Sequence, residues 1–306
     1  TVRDMGYSYD TDSYGGNDLT LLAKHIIQGI KIVDSAYKQE PDSTLYFVRS
    51  DGTMACLAYI LDQKVYAWST VDTDGNIEAV AAVQEGDEDI VYVLVKRNIA
   101  GQEVRNIECL HNNNAKSNVP NDYIMLDCAV AVSNEIAVDS GDEIENDDNT
   151  ASRIFSVPEL AGATVDVLAD GREFEDIAVD ADGTFELPAQ VTDVVVGLPY
   201  KMVIELPNVE IKVGDGTMQG RFKQVSECTL RLSNSCGGQV GCTEDSMDRL
   251  PYDELSAVTD VRLFSGDKVI TLPVGGFNNE GRAVIVSDEP YPFNLLAIVR
   301  KVTFGG

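Results

Sequence analysis

The residues that most often carry catalysis are scarce in this sequence. Only two histidines occur among its 306 residues, His25 and His111, and neither accompanies a serine in the Gly-x-Ser-x-Gly pattern of a nucleophile elbow. A phosphate-binding loop is absent, and Gly214-Asp215-Gly216 lacks the third glycine and the following helix of a dinucleotide-binding fingerprint. The residue types therefore give no support to nucleophilic or nucleotide-dependent chemistry, and we expect that the protein is not an enzyme.

Cysteine can bind zinc, but the six cysteines lack the spacing of a zinc site. No Cys-x-x-Cys pair occurs, and neither histidine is close in sequence to Cys228, Cys236 or Cys242. Cys56 and Cys109 lie inside apolar runs and are predicted to be buried thiols. Because no secretion signal is visible, we expect the cysteines to be reduced.

Acidic residues could bind calcium or act in pairs, and two stretches of the sequence are rich enough in them to bind an ion. Asp72-Thr73-Asp74-Gly75-Asn76 begins like a calcium loop, but Val83 stands at the twelfth position, where a glutamate is needed. We interpret it as a hairpin turn. Residues 139–149 hold six acidic residues and no base, which is typical of a solvated loop or linker. Binding of a divalent ion by these residues stays an open alternative. Among 51 acidic residues no glycosidase-like pair can be singled out. We therefore assign no catalytic, cofactor-binding or metal-binding residue.

The acidic excess gives the chain a formal net charge of −28. Such a surface repels phosphate groups, so a protein that reads nucleic acid by tight binding is excluded. On composition alone, the favoured interpretation is that the acidity keeps the protein soluble. A conduit for DNA is also compatible with the charge, because an acidic wall offers DNA no site to bind. No apolar run reaches the ~18 residues of a membrane-spanning helix, so we expect no membrane association.

Short apolar runs separated by turn residues make up most of the chain. Asp-Gly between two such runs is a strong hairpin signal, because tight turns need residues that tolerate positive φ. Six consecutive runs predict an antiparallel meander in which the first four form one sheet and the last two begin another, as in propeller blades. These runs are 44–49, 54–60, 64–69, 77–83, 90–96 and 104–110.

The predicted fold class is all-β: a partial propeller-like meander preceded by one helix and followed by a second all-β domain. We expect the helix at residues 17–28, capped by Asn17, with apolar residues at i, i+3, i+4 and i+7. A strand at 30–33 and a connection at 36–41 follow. The predicted organisation is an irregular arm (1–16), the helix and propeller-like blades (17–122), a strand and acidic linker (123–150), and an all-β domain (151–306).

Several short sequence motifs, which we call phrases, resemble those of a family of phage tail proteins. One phrase has the form DGT-x-x-x-L-x-Y-x-x-x-x-x-V-x-x-W, and a later one has the form V-x-R-x-I-x-G-x-x-V-R-x-I-E. The matching residues are Asp51, Gly52, Thr53, Leu57, Tyr59, Val65 and Trp68, then Val95, Arg97, Ile99, Gly101, Val104, Arg105, Ile107 and Glu108. Further similar phrases, which extend the resemblance over nearly the whole chain, lie at 18–29, 39–41, 165–171, 195–200 and 288–297.

The family is that of the tail nozzle, or tail tubular and stabilisation, proteins of short-tailed bacteriophages. The resemblance implies a structural subunit of the virion tail that forms a homo-oligomeric ring of six copies, in contact with portal, adaptor and tail-fibre proteins. The ring would retain the genome and form the conduit for ejection, with viral DNA passing through without specific binding. No cofactor is implied. Family members are longer at the N-terminal side, so we expect this chain to be the C-terminal part of a longer protein assembled in the host cytoplasm.

Two other hypotheses stay open at this point. A tail-associated protein that binds or depolymerises host glycans predicts a groove with stacked aromatic rings and a carboxylate pair at glycosidase separation. A bacterial β-propeller interaction module predicts a gene outside any phage cluster.

Overall fold

The computed structural model describes residues 1–10, 12–111, 119–132, 152–210, 212–213, 216–217, 220–252, 263–272 and 277–305. The chain is almost all β, with several antiparallel sheets and one α-helix, so the predicted fold class is confirmed. Two compact units are formed by Thr1–Asn112 and Asn113–Gly306. The acidic run at 139–149 lies outside the described residues. Within the described part, no helix has the length and apolar character needed to cross a membrane.

The described residues of the first unit form nine strands and one short helix. They are β1 (Gly6–Ser8), β2 (Ser13–Gly15), α1 (Lys24–Ile27), β3 (Ile32–Lys38), β4 (Thr44–Arg49), β5 (Met54–Ile60), β6 (Val65–Val71), β7 (Asn76–Glu85), β8 (Glu88–Ile99) and β9 (Gln102–Leu110).

Consecutive antiparallel strands form the two main sheets of this unit, in the orders β3-β4-β5-β6 and β7-β8-β9. The predicted division of strands was therefore wrong, because residues 77–83 lie in the second sheet. The predicted hairpin at residues 72–76 was wrong as well: β6 and β7 do not pair, and this segment crosses from one sheet to the other. The N–H of Ile77 donates to the carbonyl of Gly52, 2.8 Å away, so the backbone of β7 starts against the β4–β5 turn. The described residues contain no closed propeller or barrel.

The β3-β4-β5-β6 sheet is covered on both faces. Val48, Met54 and Cys56 pack against residues of the second sheet, among them Val80 and Val93. The opposite face packs against the chain before β3, and the residues of this second cluster are Leu19, Ala23, Ile26, Phe47, Ala55 and Leu57. Burial of aliphatic side chains contributes about 25 cal/mol per Å² of apolar area, so the three layers stabilise each other.

The helix predicted at residues 17–28 is reduced to α1. The N–H of Leu19 donates to the carbonyl of Val2 at 3.0 Å, and the indole Nε1 of Trp68 donates to the carbonyl of Leu19 at 2.8 Å. Asp18 Oδ1 accepts the N–H of Thr20 at 2.9 Å. These contacts take backbone groups that a helix would need, so tertiary pairing overrides the periodic pattern. The predicted apolar contacts of Ala23 and Ile26 are nevertheless made.

Three further expectations for this unit need correction. The arm at 1–16 is not wholly irregular, because β1 and β2 pair with Tyr7 opposite Tyr14. The connection predicted at 36–41 is mostly strand, since β3 continues to Lys38, which pairs with Thr44. Cys109 is exposed, because it lies on the uncovered side of β9.

The second unit contains fifteen described strands. They are β10 (Asp127–Val132), β11 (Ser152–Ser156), β12 (Thr164–Ala169), β13 (Arg172–Ala178), β14 (Thr184–Val191), β15 (Val194–Leu198), β16 (Met202–Glu205), β17 (Lys212–Val213), β18 (Gly216–Thr217), β19 (Lys223–Ser235), β20 (Gln239–Thr243), β21 (Ser246–Arg249), β22 (Phe264–Thr271), β23 (Val284–Ser287) and β24 (Asn294–Phe304).

Two antiparallel sheets, β16-β23-β20-β21 and β22-β19-β24, enclose an apolar core that includes Leu230, Val240 and Ile285. A third sheet, β10-β15-β12-β13, precedes them in the chain. It meets them in a smaller cluster in which Leu168 and Val195 pack against Cys236 and Tyr291. Glu173 and Glu289 lie where the β12–β13 hairpin contacts the chain before β24.

Candidate functional site

Two partly buried carboxyl groups whose pKa is raised by burial lie in the second unit, in a group of residues we call the Glu173–Glu289 cluster. Its members are Glu173, Cys236, Arg249, Glu289 and Tyr291. None of them is a predicted site residue. They lie on four different segments of the chain, so only the fold brings them together.

The β12–β13 hairpin positions Glu173. Its turn residues Asp170 and Gly171 both have positive φ, 47° and 74°, as the predicted Asp-Gly turn requires. The side chain of Asn121 fixes the turn: its Oδ1 accepts the N–H of Gly171 at 2.7 Å, and its Nδ2 donates to the carbonyl of Asp193 at 2.9 Å. Glu173 follows directly, paired with Leu168 across the hairpin.

Tyr291 joins the hairpin to the chain before β24. Its hydroxyl donates to the carbonyl of Gly171 at 3.2 Å and lies against the backbone N–H of Glu173. The ring is buried, and burial is the main cause of a raised pKa of its hydroxyl. A neutral tyrosine with both a donor and an acceptor partner makes this contact specific in geometry.

Glu289 is held from the other side by a pair of glycines. Gly237 and Gly238 have φ of 67° and 86°, and the N–H of Gly238 bonds the carboxylate. A Cβ at Gly237 would overlap Oε2 of Glu289, and one at Gly238 would overlap the ring of Phe293. Only glycine fits this turn, because it needs both the left-handed conformation and the missing side chain.

The electrostatics of the cluster favour a proton. Burial raises the pKa of Glu173 to about 7, and the charges of Glu289, Glu175 and Asp166 add to this, while Arg249 opposes it. Burial also raises the pKa of Glu289, whose side chain is 8% exposed.

Arg249 compensates little of this charge. Its Nη1 lies 3.4 Å from Oε1 of Glu289, but its side chain is 71% exposed, and exposed pairs contribute little. Oε2 of Glu173 is buried and has no hydrogen-bond partner. A buried carboxylate oxygen without a donor is costly when ionised and much less so when protonated.

This arrangement can hold a proton, but it is poorly placed for catalysis on a substrate. The free oxygen of Glu173 is buried, so a substrate would reach it only after the contact opened. Among the described residues, no group of three or more histidine, cysteine or acidic side chains is placed to hold a metal ion.

Burial of the thiols also agrees with an inert role. It raises the pKa of Cys56 to about 12 and the pKa of Cys228 and Cys236 to about 11. All six cysteines are free thiols.

The first unit contains a second buried charge, and it belongs to the phrase from Val95 to Glu108. Arg97 in β8 is 2% exposed. Its guanidinium donates to both carboxylate oxygens of Glu108, to the carbonyl of Asp74 and to the hydroxyl of Thr73. The side chain thus ties the segment that crosses between the two sheets to the β8–β9 hairpin.

The phrase from Asp51 to Trp68 also has a structural role. Asp51 Oδ1 accepts both the N–H and the hydroxyl of Thr53, at 3.2 and 2.9 Å, in the β4–β5 turn. Leu57 pairs with Trp68 across β5 and β6, and both belong to the cluster that covers the chain before β3.

The phrases at 165–171, 195–200 and 288–297 come together in space. Leu168, Val195 and Tyr291, one residue from each, lie in the same apolar cluster. The phrases quoted from the sequence therefore fall on turns, core residues and buried polar contacts.

A shallow groove of about 540 Å³ lies elsewhere in the second unit. It is lined by Glu205, Leu206, Pro207, Asn208, Glu210 and Arg282. Arg282 already bonds Asn208 Oδ1 at 2.8 Å and pairs with Glu205 and Glu280. No aromatic ring lines this groove, unlike the groove that a glycan-binding protein predicts. The two histidines, His25 and His111, are both exposed and belong to neither cluster.

The sequence matches no protein-family model, and no curated protein is significantly similar to it.

Proposed function

We propose that this chain is a structural subunit of the tail of a short-tailed bacteriophage, part of a nozzle or tube ring that retains the genome and conducts it during ejection. The observation that carries the proposal is the place of the resembling phrases in the fold. They supply turns, core residues and the Arg97–Glu108 pair, which are the parts of a scaffold. In a structural protein, we expect the motifs that the family shares to be those that maintain the fold.

The charge of the chain supports a conduit for DNA. At a net charge of −28 the protein repels phosphate, so DNA would slide past it without being held. The proposed ring is homo-oligomeric, with six copies, and contacts portal, adaptor and tail-fibre proteins. Its location is the virion tail.

Electron microscopy tests the proposal directly. Gold-labelled antibody against this chain should mark the tails of purified phage particles, and negative-stain images of the chain with its tail partners should show six-fold rings. Six chains of 33.2 kDa give a ring of about 199 kDa by light scattering. Unlabelled tails, or a chain that stays monomeric within the particle, would contradict the proposal.

A DNA-binding measurement provides an independent check. The protein should not retard double-stranded DNA in a gel at 150 mM salt. Retardation that weakens steeply with salt would indicate phosphate contacts and would speak against a passive conduit.

A further inference from the structure

In the second unit, two acidic side chains that influence each other electrostatically lie where the β12–β13 hairpin meets the chain before β24. Glu173 lies on the β12–β13 hairpin and Glu289 on the chain before β24. Around these two, the hydrogen bond from Tyr291 to Gly171 and the apolar contacts of Leu168 and Val195 hold the sheets together. The contact is otherwise well packed, so the uncompensated charge is its weak point.

The groups that face the two carboxylates come from every neighbouring segment. Glu173 is influenced by Glu289, Glu175 and Asp166, which repel it, and by Arg249, which attracts it. Glu289 is in addition close to Asp288 and accepts the N–H of Gly238. The hydroxyls of Tyr252 and Tyr291 and the thiol of Cys236 also lie near these carboxylates, but burial raises their pKa, so they are neutral near pH 7. Among the charged groups that act on the two carboxylates the balance is negative: one exposed arginine acts against five carboxylates, which are Glu173, Glu175, Asp166, Asp288 and Glu289.

The unpartnered oxygen of Glu173 decides which of the two carboxylates takes the proton. Glu289 keeps a backbone donor and an arginine, whereas Oε2 of Glu173 has neither in the structure. An ionised carboxylate gains more from donors than a protonated one, so the proton goes to Glu173.

We propose that Glu173 and Glu289 form a proton-dependent latch between the β12–β13 hairpin and the chain before β24, closed when Glu173 is protonated and loosened when it is ionised. In the closed state one negative charge is buried, and the tyrosine contact holds the hairpin. In the loosened state two like charges repel across the contact, and the hairpin opens locally without unfolding of the sheets. The latch is a property of this unit and does not depend on the proposed tail function.

Hydrogen–deuterium exchange tests the latch on the full chain. Exchange of peptides covering 163–178 and 286–294 is compared at pH 6 and pH 8, after correction for the intrinsic pH dependence of exchange. A pKa near 7 in the closed state and an ordinary one in the open state predict an open population that is about tenfold larger at pH 8 than at pH 6, and therefore about tenfold faster exchange through that state. Peptides from Thr1–Asn112 provide an internal control.

Glu173→Gln should remove the pH dependence, because the amide is neutral at both pH values and nearly the same size. The two peptides of this variant should exchange as slowly at pH 8 as those of the wild type do at pH 6. Glu175→Gln is the matched control, since Glu175 is exposed on the same strand, and it should keep most of the wild-type pH dependence. If Glu173→Gln does not fold, Glu289→Gln tests the same pair from the other side and should also reduce the difference between pH 6 and pH 8.

Two results would overturn the latch. One is a wild-type protein whose two peptides exchange equally at pH 6 and pH 8. The other is a folded Glu173→Gln variant that keeps the full wild-type pH dependence, since this would place the titrating group elsewhere.

Discussion

The guanidinium of Arg97 and the carboxylate of Glu108 form two hydrogen bonds of 2.6 Å each, Nε to Oε1 and Nη2 to Oε2. This bidentate geometry is the strongest that an arginine and a carboxylate can adopt. The same guanidinium also reaches Asp74 and Thr73, both at 2.7 Å. One side chain therefore bonds acceptors in β9 and in the segment that crosses between the two sheets of the first unit.

Arg97→Met should destabilise the first unit by about 3 kcal/mol, because it leaves a partly buried carboxylate and a carbonyl without their donor. The measurement is urea unfolding followed by the fluorescence of Trp68, the only tryptophan, which lies in the same unit. Arg105→Met is the control: Arg105 pairs with Glu78 at the surface, at 2.9 Å, and its loss should cost at most about 1 kcal/mol. Equal costs for the two variants would show that burial of the pair is unimportant.

Gly238→Ala should destabilise the second unit by roughly 2–4 kcal/mol, since the new methyl group meets the ring of Phe293 and the residue has φ of 86°. Gly220→Ala is a matched control, with φ of 75° and nothing within 4 Å of the added carbon. It should cost about 1 kcal/mol from backbone strain alone. Thermal unfolding followed by circular dichroism measures both. Equal melting temperatures for the two variants would show that the turn at Gly238 has room for a larger side chain.

Asp170→Asn should weaken the β12–β13 turn by about 1 kcal/mol, because Asp170 accepts the N–H of Asp193 and both the N–H and hydroxyl of Thr192. Asparagine keeps the tolerance for positive φ, so the backbone of the turn is unaffected, and the variant loses the charge and one of the two acceptor oxygens.

The pH dependence of this variant gives a signed test. Burial acts to raise the pKa of Asp170, but the donors from Asp193 and Thr192 outweigh it and hold the pKa below its usual value. Its contribution to the free energy of unfolding is therefore present above about pH 4 and is lost as the pH falls through the lowered pKa. The stability difference between wild type and Asp170→Asn should shrink between pH 5 and pH 3. A difference that grows on acidification would contradict the assignment.

Cys109 should react with a thiol reagent much faster than the buried cysteines of the native protein. Cys56, Cys228 and Cys236 are buried and have raised pKa values, so both access and thiolate content are low. Ellman's reagent at pH 8 should give a fast phase that Cys109→Ser removes, and all six thiols should react in denaturant. Cys128 and Cys242 are partly buried and should react more slowly than Cys109. A fast phase that keeps its full amplitude after this substitution would place Cys109 in a protected environment.

Local patterns predicted much of the strand content. The β4 and β5 strands have the bounds expected from apolar runs between Asp-Gly and Asp-Gln turns, because strand signals and turn chemistry are both local. The helix at 17–28 and the hairpin at 72–76 failed for a common reason. Their backbone groups bond to residues distant in sequence, Trp68 in one case and Arg97 in the other, and no local pattern encodes such partners.

The residues of the candidate site could not be predicted from the sequence for a different reason. Glu173 and Glu289 are two among 51 acidic residues, and their types alone do not distinguish them. What sets them apart is burial and the missing donor on Glu173, which arise only when two sheets meet. Only parts of the site have a local signal in the sequence. One is the Asp-Gly turn before Glu173. The other is the pair of glycines at 237 and 238, because consecutive glycines next to a cysteine indicate a close approach of the backbone.

The Arg97–Glu108 pair also bears on the order of folding. Both residues belong to the β8–β9 hairpin, so the guanidinium and carboxylate can meet as soon as that hairpin forms, before the other sheet is in place. The hairpin then docks with its charge already neutralised, and only the bonds to Thr73 and Asp74 remain to be made. Such late bonds stabilise the native state more than the transition state, so they slow unfolding and leave the folding rate almost unchanged.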